Sequence, residues 1–166
     1  MNLSEGKEKF INAWGLMGVN WGVNKTMGQI HALLLINLEP VCADDIMELL
    51  DISRGSVHQN LKCLVEWELI RKVSIEGKRK EHFEAEKDIW TAFTKIIKER
   101  KKKELEPIIK LTEELKPMQC KCPESSEFCK VIEELNLFSV KADNALENII
   151  GSKSSWLIGN YLKMMR

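Results

Sequence analysis

The stretch "DISRGSVHQNLKCLVEWELI", Asp51 to Ile70, carries two patterns at once. Val57, Leu61, Leu64 and Val65 recur with the 3.6-residue period of a helix and form one apolar stripe. A surface helix ordinarily covers its other face with charge. Here that face holds Gly55, Ser56, His58, Gln59 and Lys62, which are small or hydrogen-bonding residues. Ser53 is a good N-cap, because its hydroxyl accepts from a backbone N–H that the first turn leaves open. Just upstream, "ADDIMELL" (Ala43 to Leu50) predicts a short helix, with Ile46, Leu49 and Leu50 as its buried stripe. Asp44 and Asp45 stand in its first turn, where the helix dipole favours negative charge. Only Asp51-Ile52 separates the two helices. A tight turn between two short helices, the second polar on one face, is the helix-turn-helix pattern.

After Trp67 the period changes to two. "LIRKVSI" and "KEHFEAE" read as strands, joined through Glu76-Gly77-Lys78-Arg79. Gly77 supplies the positive φ that a hairpin turn wants. A basic β-hairpin placed directly after a helix-turn-helix is the layout of a winged helix.

Working outward, residues Glu5 to Val19 predict a first helix with Phe10, Ile11, Trp14 and Leu16 on its apolar side. "GVNWGVNKT" interrupts it. "KTMGQIHALLLINLE" then predicts a helix that is apolar on most sides and so internal, ended by Pro40. From Asp88 the chain is helical again through "DIWTAFTKIIKERKKKELEPIIKLTEEL", and Pro107 should kink or divide that helix. "PMQCKCPE" reads as a loop, with further helices after it. The expected architecture is mostly α with a small β-hairpin wing. Residues 24–87 are read as the winged helix-turn-helix domain. Residues 1–23 form a helix that contributes to a dimer or a ligand pocket, and 88–166 a helical linker and dimerisation region. The long apolar stripe of 88–115 motivates the dimer.

The chain of 166 residues is 44% hydrophobic and 30% charged, which is the composition of a globular protein with a full core. No apolar run approaches the ~18 residues that span a bilayer. "MNLSEGKEKF" lacks the apolar stretch of a signal peptide, so a cytoplasmic location is expected. In that compartment the five cysteines are expected to be reduced thiols. Net charge is zero, but its distribution is uneven. From Ser53 to Lys80 the bases are Arg54, Lys62, Arg71, Lys72, Lys78, Arg79 and Lys80, against Glu66, Glu68 and Glu76.

A helix entering the major groove of DNA needs hydrogen-bonding side chains, and small residues where the backbone comes close. Arg54, Gly55, Ser56, Gln59 and Asn60 meet that need as base-facing candidates. Gly55 costs an exposed helix ~1 kcal/mol relative to Ala, which a close approach to DNA explains. Ser53, Lys62, Lys78, Arg79 and Lys80 are the phosphate-facing candidates.

"SRGSVHQNLKCLVEWELIRKV" followed by "GKRKEHFEAEKDIW" resembles the GbsR-type branch of the MarR superfamily of transcriptional regulators. "WGLMGVNWGVNKTMGQIHALLLI" resembles the first helices of that branch, and "KERKKKELEP" its linker helix. The resemblance extends to about Leu115. It implies a homodimeric regulator, a repressor or an activator, that binds a pseudo-palindromic operator. In some members a small ligand such as glycine betaine or choline controls DNA affinity. Two positions depart from the pattern. Glu68 stands where a glycine is usual, which predicts strain in that turn. Cys42 stands where a Ser or Thr cap is commoner.

Trp14 and Trp21 are the candidates for a betaine-like ligand, since aromatic rings cage quaternary ammonium groups. The alternative is that all five tryptophans are packing residues. Cys120, Cys122 and Cys129 read C-x-C-x6-C, which keeps a thiol-based metal or redox sensor open as a rival. Four-ligand zinc spacings are not matched, and no metal or other cofactor is expected. A winged-helix protein-interaction module without DNA binding is a second rival, which zero net charge permits. No glycine-rich phosphate loop, H-E-x-x-H motif or recognisable nucleophile points to an enzyme.

Overall fold

The most apolar helix lies at the centre. In the computed structural model, which describes residues 1–20, 22–118 and 122–151, α2 (Lys25–Ile36) buries Met27, Ile30, Leu33 and Leu34. Asn24 caps it, its side-chain oxygen accepting from the Met27 N–H at 2.8 Å. Lys87 closes its other end, donating to the carbonyls of Leu34, Leu35 and Asn37 at 2.8, 2.9 and 2.6 Å. A cation is the natural partner for the open carbonyls of a helix C-terminus.

Helix α1 (Leu3–Asn20) meets α2 most closely at its glycines, while Phe10, Ile11 and Trp14 of its expected apolar side are half-buried. Gly15 and Gly18 are its buried residues, while Leu16 is exposed. A Cβ added at Gly28 would stand 2.9 Å from the Gly15 Cα and 3.1 Å from the Trp14 carbonyl oxygen. The two backbones therefore touch.

Helices α3 (Ala43–Leu50) and α4 (Arg54–Glu66) form the helix-turn-helix. Ile46, Val57, Leu61 and Leu64 are buried with α2 in one core. Leu49, expected in the buried stripe of α3, is 61% exposed. Asp51 turns the chain with φ 49°. Cys42 precedes α3 and makes no side-chain cap, whereas the Ser53 hydroxyl accepts from the Ser56 N–H. Glu68 has φ 57°, so the position where a glycine is usual is left-handed here.

The sheet is antiparallel, with order β1-β3-β2. β2 (Ile70–Val73) and β3 (His82–Ala85) are the wing's strands. The third strand, β1 (Val41–Cys42), was not foreseen; it pairs Val41 with Phe83 and Cys42 with His82. Between β2 and β3, the Lys78 N–H donates to the Ile75 carbonyl at 3.0 Å, and Gly77 takes φ 79°. This is the three-stranded sheet and helix set of a winged helix.

The described residues fall into two compact units, Met1–Ala92 and Phe93–Arg166, and the division lies within α5 (Ile89–Arg100). In the second unit the expected break at Pro107 is a π-helical turn, Lys101–Leu105, followed by α6 (Glu106–Leu115). Proline has no N–H to offer the carbonyl four residues back, and its ring crowds that carbonyl. The helix widens instead, and the Glu106 N–H reaches five residues back to Lys101. Residues 122–151 contain one helix, α7 (Pro123–Gly151), of 29 residues. A buried polar pair joins it to α6. Asn136 donates to the Thr112 hydroxyl at 2.8 Å, and the buried Thr112 donates to the carbonyls above it.

Candidate nucleic-acid interface

Helix α4 has two faces of different chemistry. Val57, Asn60, Leu61 and Leu64 point inward, and Arg54, Gly55, His58, Gln59 and Lys62 point outward. No apolar side chain interrupts the outward row. Nothing lies within 4 Å of a Cβ built on Gly55, so no contact within the chain requires a glycine there. Gly55 thus differs from Gly28, whose missing side chain the fold uses.

Asn60, expected among the base-reading residues, does not belong to this face. It is 5% exposed. Its Nδ2 donates to the Ser56 carbonyl at 2.8 Å, and its Oδ1 accepts from Asn24 Nδ2 at 2.8 Å. The reason is register. Position 60 falls three residues after Val57 and four before Leu64, which sets it on the inner stripe. Its amide ties α4 to the cap of α2, so the helix held out to solvent is oriented by a polar pair inside.

The remaining candidates are at the surface. Ser56 is half-buried, and Ser53 is exposed with its hydroxyl used as the cap. Lys62 is exposed and lies 3.9 Å from Glu66. Lys78 and Arg79 project from the wing turn. Arg71 pairs with Glu84 across the sheet, and Lys72 with Glu81 at 3.0 Å.

Asp44 joins the helix-turn-helix to the wing. Its carboxylate lies 2.7 Å from Lys80 Nζ and 3.4 Å from Arg54. Hydrogen bonds from Lys80 and then Arg54 hold its carboxyl below the usual range, and the same bond raises Lys80. Sequence reading placed Asp44 only as a dipole partner. That it meets two of the proposed DNA-contacting cations follows from β3 returning beside β1, a contact no local pattern reveals.

Trp14, a ligand candidate, is half-buried and donates from Nε1 to His31 Nδ1 at 3.2 Å, beside Phe10. Its partner candidate Trp21 lies outside the described residues, as does Cys120. Cys42, Cys63 and Cys122 are free thiols. Cys129 is disulfide-bonded, contrary to the expectation that all five are reduced. Among the described residues no group of three or more His, Cys, Asp or Glu could hold a metal. Among them, too, no helix is long and apolar enough to cross a membrane.

No family model and no curated protein matches the sequence. One solved structure, a crystal structure of a transcriptional regulator, superimposes with TM-score 0.67 over 88% of this chain and 96% of its own. Identity is 15%, so the likeness is one of fold.

Proposed function

We propose that this chain is a sequence-specific DNA-binding transcriptional regulator that acts as a homodimer on a pseudo-palindromic operator, as a repressor. The observation that carries the reading is the outward row of α4, polar throughout, with an open glycine near its start and a basic wing turn following in the chain. Residues 24–87 are the DNA-binding domain, 1–23 a helix serving a dimer contact or ligand pocket, and 88–166 the linker and pairing region. Arg54, Ser56 and Gln59 read base edges, Gly55 lets the backbone approach, and Ser53, Lys62, Lys78, Arg79 and Lys80 hold phosphates. Two copies would set their α4 helices about one turn of DNA, ~34 Å, apart. The quoted resemblance supports a place in the GbsR-type branch, in the cytoplasm, with control by a small ligand.

The division between base and phosphate contacts is testable with two variants. Gln59→Ala should change the preferred base at one position by about 1–3 kcal/mol. Arg79→Ala should weaken every sequence alike and lower the salt slope by about 1. Equal losses on all sequences for both variants would remove Gln59 from the base-reading set.

Asp44 opposes DNA binding in this scheme, because it pairs with the base-facing Arg54 and the phosphate-facing Lys80 in the free protein. Asp44→Asn should therefore tighten binding to any duplex at low salt and steepen the salt slope by about 1–2. Weaker binding in titrations across salt would show that the carboxylate is needed to aim those cations.

A further inference from the structure

We propose that the groove between the loop after α2 and the outer face of α3 docks a partner protein, through a segment that carries leucine-like side chains flanked by lysine or arginine. The DNA-binding reading does not enter, since no residue of α4 or the wing lines this groove. Its volume is about 650 Å3. Leu38 and Leu49 line it with 97% and 61% of their surface exposed. Both are held in place. The Asn37 N–H donates to the Leu33 carbonyl at 3.2 Å, and the Asn37 carbonyl accepts from Lys87 at 2.6 Å. Val41, on the far side, pairs with Phe83 in the sheet. Leu38 therefore stands on a loop pinned at both ends, with Pro40 stiffening the backbone between. On α3, Ile46 is buried, while Asp45, Glu48 and Leu49 stand at i, i+3 and i+4 and share the exposed face. Two leucines fixed in one open groove leave apolar surface that an interacting partner would cover.

Charge selects the occupant. Glu39, Asp45 and Glu48 line the groove beside the leucines, all three exposed, and Lys7 is the one cation among the lining residues. Among the described residues none of these three acids has an ion-pair partner, whereas the adjacent Asp44 is satisfied by Lys80 and Arg54. Their carboxylates therefore give up only water to meet a cation. An acidic rim repels a phosphate backbone, so DNA is not the occupant. A second copy seated groove to groove about a twofold axis would set these acids against the same acids. A basic segment of another protein satisfies both features at once. Its apolar side chains enter between Leu38 and Leu49, and its cations meet the rim, which gives specificity and a fast, salt-sensitive encounter.

The test titrates the full chain with two synthetic peptides and follows backbone amide chemical shifts. One peptide repeats Lys-Leu-Leu-Lys three times, and its twin has glutamate for every lysine. The lysine peptide should bind saturably and shift the amides of Leu38, Glu39, Glu48 and Leu49, and the twin should bind there about ten-fold more weakly or less. Leu38→Ser and Leu49→Ser, both at exposed positions and so without effect on the core, should each weaken the lysine peptide about ten-fold. Glu39→Lys combined with Glu48→Lys should reverse the preference between the two peptides. Shifts confined to other surfaces, or an affinity that neither leucine variant changes, would overturn the proposal. A second arm asks whether the protein fills its own groove. With Leu38 replaced by p-benzoylphenylalanine and no peptide present, irradiation should give no cross-linked product. A covalent dimer, or a link within one chain to residues 152–166, would name this protein as the occupant and overturn the proposal as well.

Discussion

Gly28→Val is expected to destabilise the Met1–Ala92 unit by about 3 kcal/mol. The two glycines of α1 and α2 meet backbone to backbone. The first added carbon at Gly28 would lie 2.9 Å from the Gly15 Cα and 3.1 Å from the Trp14 carbonyl oxygen, and neither atom can swing away as a side-chain end can. The helices must separate, and the contacts of Trp14 and Gln29 across the crossing open with them. Gly55→Ala is the matched control. It also sits in a helix, but its added carbon meets nothing, so it should stabilise the protein by roughly 0.5–1 kcal/mol through backbone entropy alone. Under the proposed function the same change should weaken operator binding. Urea unfolding of both variants checks the pair. An unchanged midpoint for Gly28→Val would contradict the close crossing.

Stability should also fall by about 3 kcal/mol between pH 6.5 and pH 4 because of one residue, His31. Burial, and then the charge of Lys87, hold its pKa down at about 4 against the ordinary 6.5. The imidazole is 3% exposed, and its Nδ1 accepts from the Trp14 indole N–H. A protonated ring has no lone pair for that bond and carries a charge into the apolar α1–α2 contact. The unfolded chain binds the proton near pH 6.5 and the folded chain does not until about pH 4, so acid favours unfolding across that window. Above that window the effect vanishes, because the ring is neutral in both states. Urea midpoints should therefore drop as pH falls from 7 to 4.5, and His31→Gln should flatten that drop. A wild-type protein equally stable at both pH values would show that the ring is hydrated or protonated without penalty.

The helix-turn-helix and wing were legible because their signals are local. Ser53 caps α4, Gly77 takes a positive φ in the wing turn, and Pro107 marks where the long helix changes. The Glu68 turn was legible as well, since a position that prefers glycine is one that needs φ above zero. What escaped depends on partners distant in sequence. β1 is two residues between Pro40 and α3, too short for any period, and exists because β3 pairs with it. Asn60 looked like a reader of bases because it is polar; Asn24, 36 positions earlier, makes it an internal residue. Leu16 gave way to Gly15 and Gly18, since close helix crossings select absent side chains.

The central claim is that α4 and the wing bind DNA, and it is tested most directly on a randomised duplex pool. The purified protein is equilibrated with the pool, and enriched sequences are remeasured at two salt concentrations. The expected result is a palindrome whose affinity falls steeply as salt rises, because phosphate contacts release counterions. A pool that stays unenriched at low salt, with binding indifferent to salt, would contradict the claim and assign the polar face of α4 to a protein partner.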